Sequence, residues 1–182
     1  MKTILAAAVL LSVQAAPLDD FYKFKPGTSW TWKRLEDSQE RKITGTVTRA
    51  ENGKIAVDWS DPEKDGTSTV TWSVADGILT VEARKDGEPG LSFALLKEGA
   101  RKDDKWPSPG GEFTHQGNAE VKVPAGTYKD AVKTQFKTVE EGSGVTIDFY
   151  LVPKVGLVKI DILAKDGGKN RFELTEFKEA AK

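Results

Sequence analysis

The chain has one histidine, His115, and no cysteine, which narrows the chemistry open to it. A nucleophile–histidine–acid triad would have to use His115, yet no Gly-x-Ser-x-Gly elbow supplies a serine. The lack of cysteine removes thiolate catalysis and thiolate zinc sites. His115 follows Gly110-Gly111 and lies between Thr114 and Gln116, so it reads as a solvated strand or loop residue. The run Asp61-Pro62-Glu63-Lys64-Asp65-Gly66 imitates the start of a calcium loop, with acids at alternate positions and glycine at the sixth. Its twelfth position is Trp72, where a bidentate carboxylate is required, so it reads as an exposed acidic turn. The acid pairs Asp19-Asp20, Asp103-Asp104 and Glu140-Glu141 are adjacent, and neighbours on a strand point to opposite faces rather than forming a dyad. Acids from distant strands can still meet, as in glycosidases, but nothing in the spacing suggests it. Gly142-Ser143-Gly144 lacks the Lys-Ser/Thr ending of a phosphate loop. These residues define no catalytic set, no metal site and no cofactor site.

Tryptophan is the other chemistry-bearing residue type, with five copies. Trp30, Trp59 and Trp72 occupy apolar positions of alternating segments. They read as core residues, since indole carries a large buried area. The functional alternative is a wall for an apolar ligand, formed by Trp30, Trp59 and Trp72 with Phe149 and Ile160. Trp106 differs, because Trp106-Pro107-Ser108-Pro109-Gly110-Gly111 reads as a loop. There Trp106 would be a mobile lip or surface anchor.

The elements that must position these side chains are strands. Apolar alternation at period two recurs through Trp30/Trp32, Ile43/Gly45/Val47, Ile55/Val57/Trp59, Val70/Trp72/Val74 and Leu79/Val81/Ala83. Leu91 to Leu96 is a further candidate. Val121/Val123, Val132/Thr134/Phe136, Val145/Ile147/Phe149/Leu151, Val158/Ile160/Ile162 and Phe172/Leu174 follow. Asn52-Gly53 and Asp76-Gly77 are tight hairpin signals, and Pro124-Ala125-Gly126 suits another turn. Phe177 to Lys182 reads as a short helix or a frayed tail. Ten to twelve strands are expected, with no helical period over twelve residues. The fold class is therefore all-β, a single antiparallel domain curled into a half-barrel or barrel, or split into a two-sheet sandwich.

Met1-Lys2-Thr3, the apolar run Ile4 to Val13 and the small residues around Ala15 form a secretory signal peptide pattern over residues 1–15. The apolar run is too short to cross roughly 30 Å of hydrocarbon as a helix. Residues 16–25 read as a lead-in, 26–177 as the β domain and 178–182 as a tail. The expected address is periplasmic or extracellular. The absence of cysteine excludes a lipid-modified cysteine at the cleavage site and any disulfide, so packing alone must hold the domain. The 27 Lys and Arg residues are mixed along the chain with 28 Asp and Glu. No basic stripe points to nucleic acid.

Val123 to Lys133 (VPAGTYKDAVK) and Pro153 to Lys159 (PKVGLVK), with GTSWTW at Gly27 to Trp32 and ELTEF at Glu173 to Phe177, resemble a family of exported bacterial β-domain proteins of unknown function. The resemblance covers residues 26–177 and departs at Leu151-Val152-Pro153-Lys154, where family members carry a "WYAPG"-like run. It implies a fold and an exported address and carries over no functional residue. The expected function is that of an exported non-catalytic domain that binds an apolar small molecule or lipid. The alternatives are a structural or protein-interaction domain of the cell envelope and, more remotely, an extracellular hydrolase. A binding role would require an apolar cavity too large for side chains to fill.

Overall fold

A computed structural model describes residues 16–36, 39–61, 68–85, 88–139 and 144–181. The signal-peptide pattern, most of the acidic run Asp61 to Gly66, and Glu140-Glu141 lie outside these residues. The described residues open with a 3-10 turn, Leu18–Phe21, and continue as twelve strands. These are β1 (Ser29–Glu36), β2 (Gln39–Glu51), β3 (Lys54–Ser60), β4 (Ser68–Ala75), β5 (Ile78–Lys85), β6 (Glu88–Lys97), β7 (Lys105–Ser108), β8 (Gly111–Val123), β9 (Gly126–Thr138), β10 (Thr146–Val152), β11 (Gly156–Leu163) and β12 (Lys169–Lys178).

All twelve form one antiparallel sheet in the order β6-β5-β4-β3-β2-β1-β12-β11-β10-β9-β8-β7. The sheet curls into a nearly closed barrel, which decides between the architectures that the alternation allows. Each strand sends its alternating apolar residues inward, because a sheet with one apolar face must bury it. Cross-strand rungs carry the interior around the barrel. Ile55 pairs with Trp72, Trp72 with Val81 and Val81 with Phe93 on one side. Phe149 pairs with Ile160, and Ile160 with Phe172, on the other. Asn52 and Gly53 both take positive φ (51° and 71°), as do Asp76 and Gly77 (51° and 69°). These are the two-residue turns whose twist matches the flanking strands.

Two expectations are corrected here. Trp106 does not lie in a loop: it is in β7, which pairs with β8 through Trp106 and Phe113, and its side chain is 3% exposed. Pro107 is accommodated because β7 is an edge strand, where a missing N–H breaks no ladder bond. Phe177 does not begin a helix either, because β12 runs on through Lys178 against Ser29 of β1.

The edges β6 and β7 meet through side chains rather than a ladder. The Trp106 indole N–H donates to the Ala94 carbonyl at 2.6 Å, and the Ala94 N–H donates to Ser108 Oγ at 3.1 Å. Behind this seam, Trp106 stacks on Phe113 (5.8 Å between ring centres, 6° between planes). Phe113 in turn meets Phe136 and Phe149, and Phe93 reaches Phe136 and Phe149 from the far side of the seam.

The lead-in closes one end of the barrel. Leu18, Phe21 and Tyr22 are buried, and Phe24 meets Trp30 edge-on at 4.9 Å. The Lys154 N–H donates to the Asp20 carbonyl, tying the lead-in to the β10–β11 turn. That turn has Pro153 at its second position and Lys154 at its third with φ 66°. Gly156 beside it has φ 84°, and a Cβ there would stand 3.2 Å from the Phe24 ring. This is the close backbone approach that a glycine within an apolar run signals.

Trp106→Phe and Ser108→Ala should each lower unfolding free energy by about 1–3 kcal/mol, because each leaves an Ala94 backbone group unpaired. Lys154→Gly should raise it by about 1 kcal/mol by relieving a left-handed residue that carries a Cβ. Urea denaturation of the purified proteins measures both effects. Unchanged midpoints would mean that neither the seam bonds nor the turn contributes.

Candidate functional site

Antiparallel pairing puts the lead-in, the 52–53 and 76–77 turns and the β10–β11 turn at one end of the barrel. The β5–β6, β9–β10 and β11–β12 connections fall at the other. Between the plugged end and that second end the interior holds a cavity of about 540 Å³. Its walls are the inward residues of β1–β6 and β10–β12, including Trp32, Trp59, Trp72, Phe93, Phe149 and Ile160. Leu91 lines the cavity and is 67% exposed, so the cavity reaches solvent at the unplugged end. Close-packed interiors leave few voids larger than a water molecule. Volumes of roughly 300–1,000 Å³ with apolar walls are the range of ligand sites.

The aromatic group Trp106, Phe113 and Phe136 occupies the β7–β9 side of the barrel, and Phe93 and Phe149 separate it from the cavity. Local geometry places Trp59 as well: Gly45 stands across from it on β2, and a Cβ on Gly45 would come within 3.0 Å of three atoms of the Trp59 ring.

Of the residues singled out from sequence, Trp59, Trp72, Phe149 and Ile160 come together on the cavity wall. Trp30 does not. It belongs to the plug, where its indole N–H donates to the Val155 carbonyl at 2.7 Å and its ring meets Phe24 and Phe177. Trp106 belongs to the seam. Sequence reasoning left out Trp32, although Trp32 shares a face with Trp30. It also left out Phe93 and Phe172, whose alternation with their strand neighbours was the available signal.

The cavity wall is nearly all apolar. Its charged residues are Asp61 and Lys85, both at strand ends on the open side. Arg34, over the Phe172 ring at 5.4 Å, is paired with Glu36 at 2.6 Å. Three indole nitrogens in the wall, those of Trp32, Trp59 and Trp72, are buried and have no hydrogen-bond partner. Each such donor costs about 1–3 kcal/mol. Trp32 and Trp59 lie 6.2 Å apart between ring centres. A single acid on the wall gives no carboxylate pair, and among the described residues no group of three His, Asp or Glu side chains is placed to hold a metal.

His115 is not solvated. It is 9% exposed, and its Nδ1 accepts the Gly117 N–H at 3.0 Å. Its backbone is held by Asp103 and Asp104, which bond to its carbonyl and N–H. Burial pushes the imidazole pKa below its ordinary 6.5, with the Asp104 charge opposing.

No protein-family model matches this chain, and no curated protein does. Solved structures do match. A Bacteroides fragilis protein assigned as exported, with a YmcC-like fold, aligns at 11% identity and a TM-score of 0.58, over 87% of this chain and 99% of its own. A Parabacteroides distasonis protein assigned as a lipoprotein aligns at 14% identity and a TM-score of 0.52, over 87% and 98%. The Pseudomonas aeruginosa MucA/MucB complex aligns at 14% identity and a TM-score of 0.45, over 90% of this chain and 56% of the matched one. The first two show that this chain shares their fold over nearly its whole described length.

The depressed His115 pKa means that below pH 6.5 the unfolded chain binds a proton more readily than the folded one. The contribution of His115 is therefore complete above pH 6.5 and is lost as pH falls through the folded pKa. Urea unfolding of the wild type and His115→Gln should show a shallower loss of stability between pH 7 and pH 5 in the variant. Parallel curves would place the imidazole in solvent.

Proposed function

We propose that this chain is an exported, non-catalytic binding protein that holds one apolar or lipid-like small molecule inside the barrel. The observation that carries this reading is the cavity of about 540 Å³ with an almost wholly apolar wall. Large side chains crowd the β7–β9 side, while the same sheet leaves this volume unfilled between Trp72 and Phe149. A void of that size forfeits packing all along its lining, a cost that a ligand recovers. The signal-peptide pattern and the fold shared with proteins assigned as exported or as a lipoprotein support an address outside the cytoplasm.

The exposed large apolar residues among those described are Leu91, Val139 and Leu163. All three sit at the open end, at the start of β6, after β9 and at the end of β11. Apolar residues beside the mouth fit a ligand that enters and leaves there. No helix among the described residues is long and apolar enough to cross a membrane.

Native mass spectrometry of the protein purified from its export compartment without detergent should show an added small-molecule mass that is lost on denaturation. Ala83→Phe, which adds a ring to the cavity wall, should reduce that occupancy and weaken the affinity for a polarity-sensitive naphthylamine dye about tenfold, a loss of about 1.4 kcal/mol. A bare protein mass, together with no saturable uptake of a polarity-sensitive naphthylamine dye, would sink the binding reading and favour an envelope interaction domain.

A further inference from the structure

The five tryptophans fall into two groups by what their N–H groups meet. Trp30 and Trp106 donate to backbone carbonyls, Val155 and Ala94. Trp32, Trp59 and Trp72 have no acceptor, although Trp32 is 3% and Trp72 7% exposed. These three stand together. All line the large cavity, and all also line a small void of about 20 Å³ that reaches Phe24, Trp30 and Gly156 at the plugged end. They form the floor between cavity and plug.

Buried donors in folded proteins are nearly always satisfied, and the exceptions call for a physical reason. Side chains of the wall cannot supply one here: the remaining lining near the floor is Ile55, Val57 and Leu157. We infer that the floor formed by Trp32, Trp59 and Trp72 is the seat for a hydrogen-bond acceptor on the ligand, and that this acceptor is a neutral carbonyl oxygen, as in a ketone or ester. The inference rests on the binding role proposed above and adds the chemistry of the bound molecule.

Neutrality follows from the surroundings. A carboxylate or phosphate at the floor would leave water without a cation among the floor residues: Lys85 stands at the open end, and Arg34, two residues on from Trp32 and over the Phe172 ring, has its Nη2 paired with Glu36 and its buried Nε without a partner. A buried unpaired charge is far more costly than a buried carbonyl that accepts indole N–H groups. The indole nitrogens are shielded by their neighbours, so the proposed seat requires at least one ring to turn toward the cavity when the ligand enters, and the indole N–H signals in the test below report that turn. The apolar remainder of the molecule then lies against Val81, Phe93, Phe149 and Ile160.

The test compares three probes of one chain length on the full mature protein: methyl nonyl ketone, undecane and undecanoate. Proton–nitrogen NMR correlation resolves the indole N–H signals, assigned by single Trp→Phe variants, and displacement of a naphthylamine dye measures affinity. The expected result is that the ketone binds about tenfold more tightly than undecane, about 1.4 kcal/mol. It should move at least one of the Trp32, Trp59 and Trp72 signals downfield, while Trp30 and Trp106 stay in place. Equal affinity for ketone and undecane with no indole moving would overturn the acceptor seat and leave the binding reading standing. Tightest binding by undecanoate, with the same indoles moving, would overturn the neutral carbonyl. If no probe displaces the dye and the dye itself fails to bind, both readings fall together.

Discussion

A twelve-stranded sheet with one apolar face, and no α-helix among the described residues to lay against it, has to cover that face with itself. Curling does this, but it brings two edge strands, β6 and β7, side by side without the register for a ladder. Trp106 and Ser108 resolve the conflict by bonding to the two backbone groups of Ala94, one as donor and one as acceptor. An edge with free backbone groups is a site for pairing with other chains, so this side-chain seam both closes the barrel and protects its edges. The other consequences follow from closure. The ring of strands is wide enough that inward side chains fill one side of it and not the other. The open ends also need separate treatment, and the lead-in with Phe21 and Phe24 treats one of them.

The tryptophans illustrate how one residue type serves three ends of the same problem. Trp30 fastens the plug, Trp106 fastens the seam, and both give up their N–H to a distant carbonyl. Trp32, Trp59 and Trp72 contribute ring area to the cavity and leave their N–H groups without a protein acceptor. Ring area alone would be supplied by phenylalanine, as it is at Phe93 and Phe149, so the indole nitrogens distinguish the floor from the rest of the wall.

The outer face is ordinary solvated protein surface with local order on β9–β12. Lys133 pairs with Asp148 at 2.7 Å, Lys159 and Arg171 converge on Asp161 at 2.9 and 2.7 Å, and both lysines flank the Tyr150 ring at 5.4 Å. The lysines and aspartates of these pairs are half-buried and only Arg171 is exposed, so solvent screens them only in part.

Period-two alternation in Val70–Trp72–Val74 or Ile55–Val57–Trp59 is a property of neighbouring residues, so strand identity and the inward face were legible in the sequence. So were the Asn52-Gly53 and Asp76-Gly77 turns, because positive φ at both positions is a local demand. The short β7 was not: Pro107 and Pro109 carry a loop signature, and pairing with β8 makes Trp106 a strand residue while its indole N–H bonds Ala94 of the other edge. His115 looked solvated because nothing in its own segment shows that it stands across from Thr134 of β9 and is held by the Asp103–Asp104 turn. The six wall candidates were all apolar or aromatic by type, yet alternation cannot say which inward residues touch one another. Trp30 and Trp72 are equivalent in sequence pattern, and the lead-in packing on one of them separates plug from cavity. Whether inward side chains fill a closed sheet depends on the radius set by strand number and closure, summed against side-chain volume around the whole ring. No local segment holds that information, and so the cavity was decided by the tertiary structure alone.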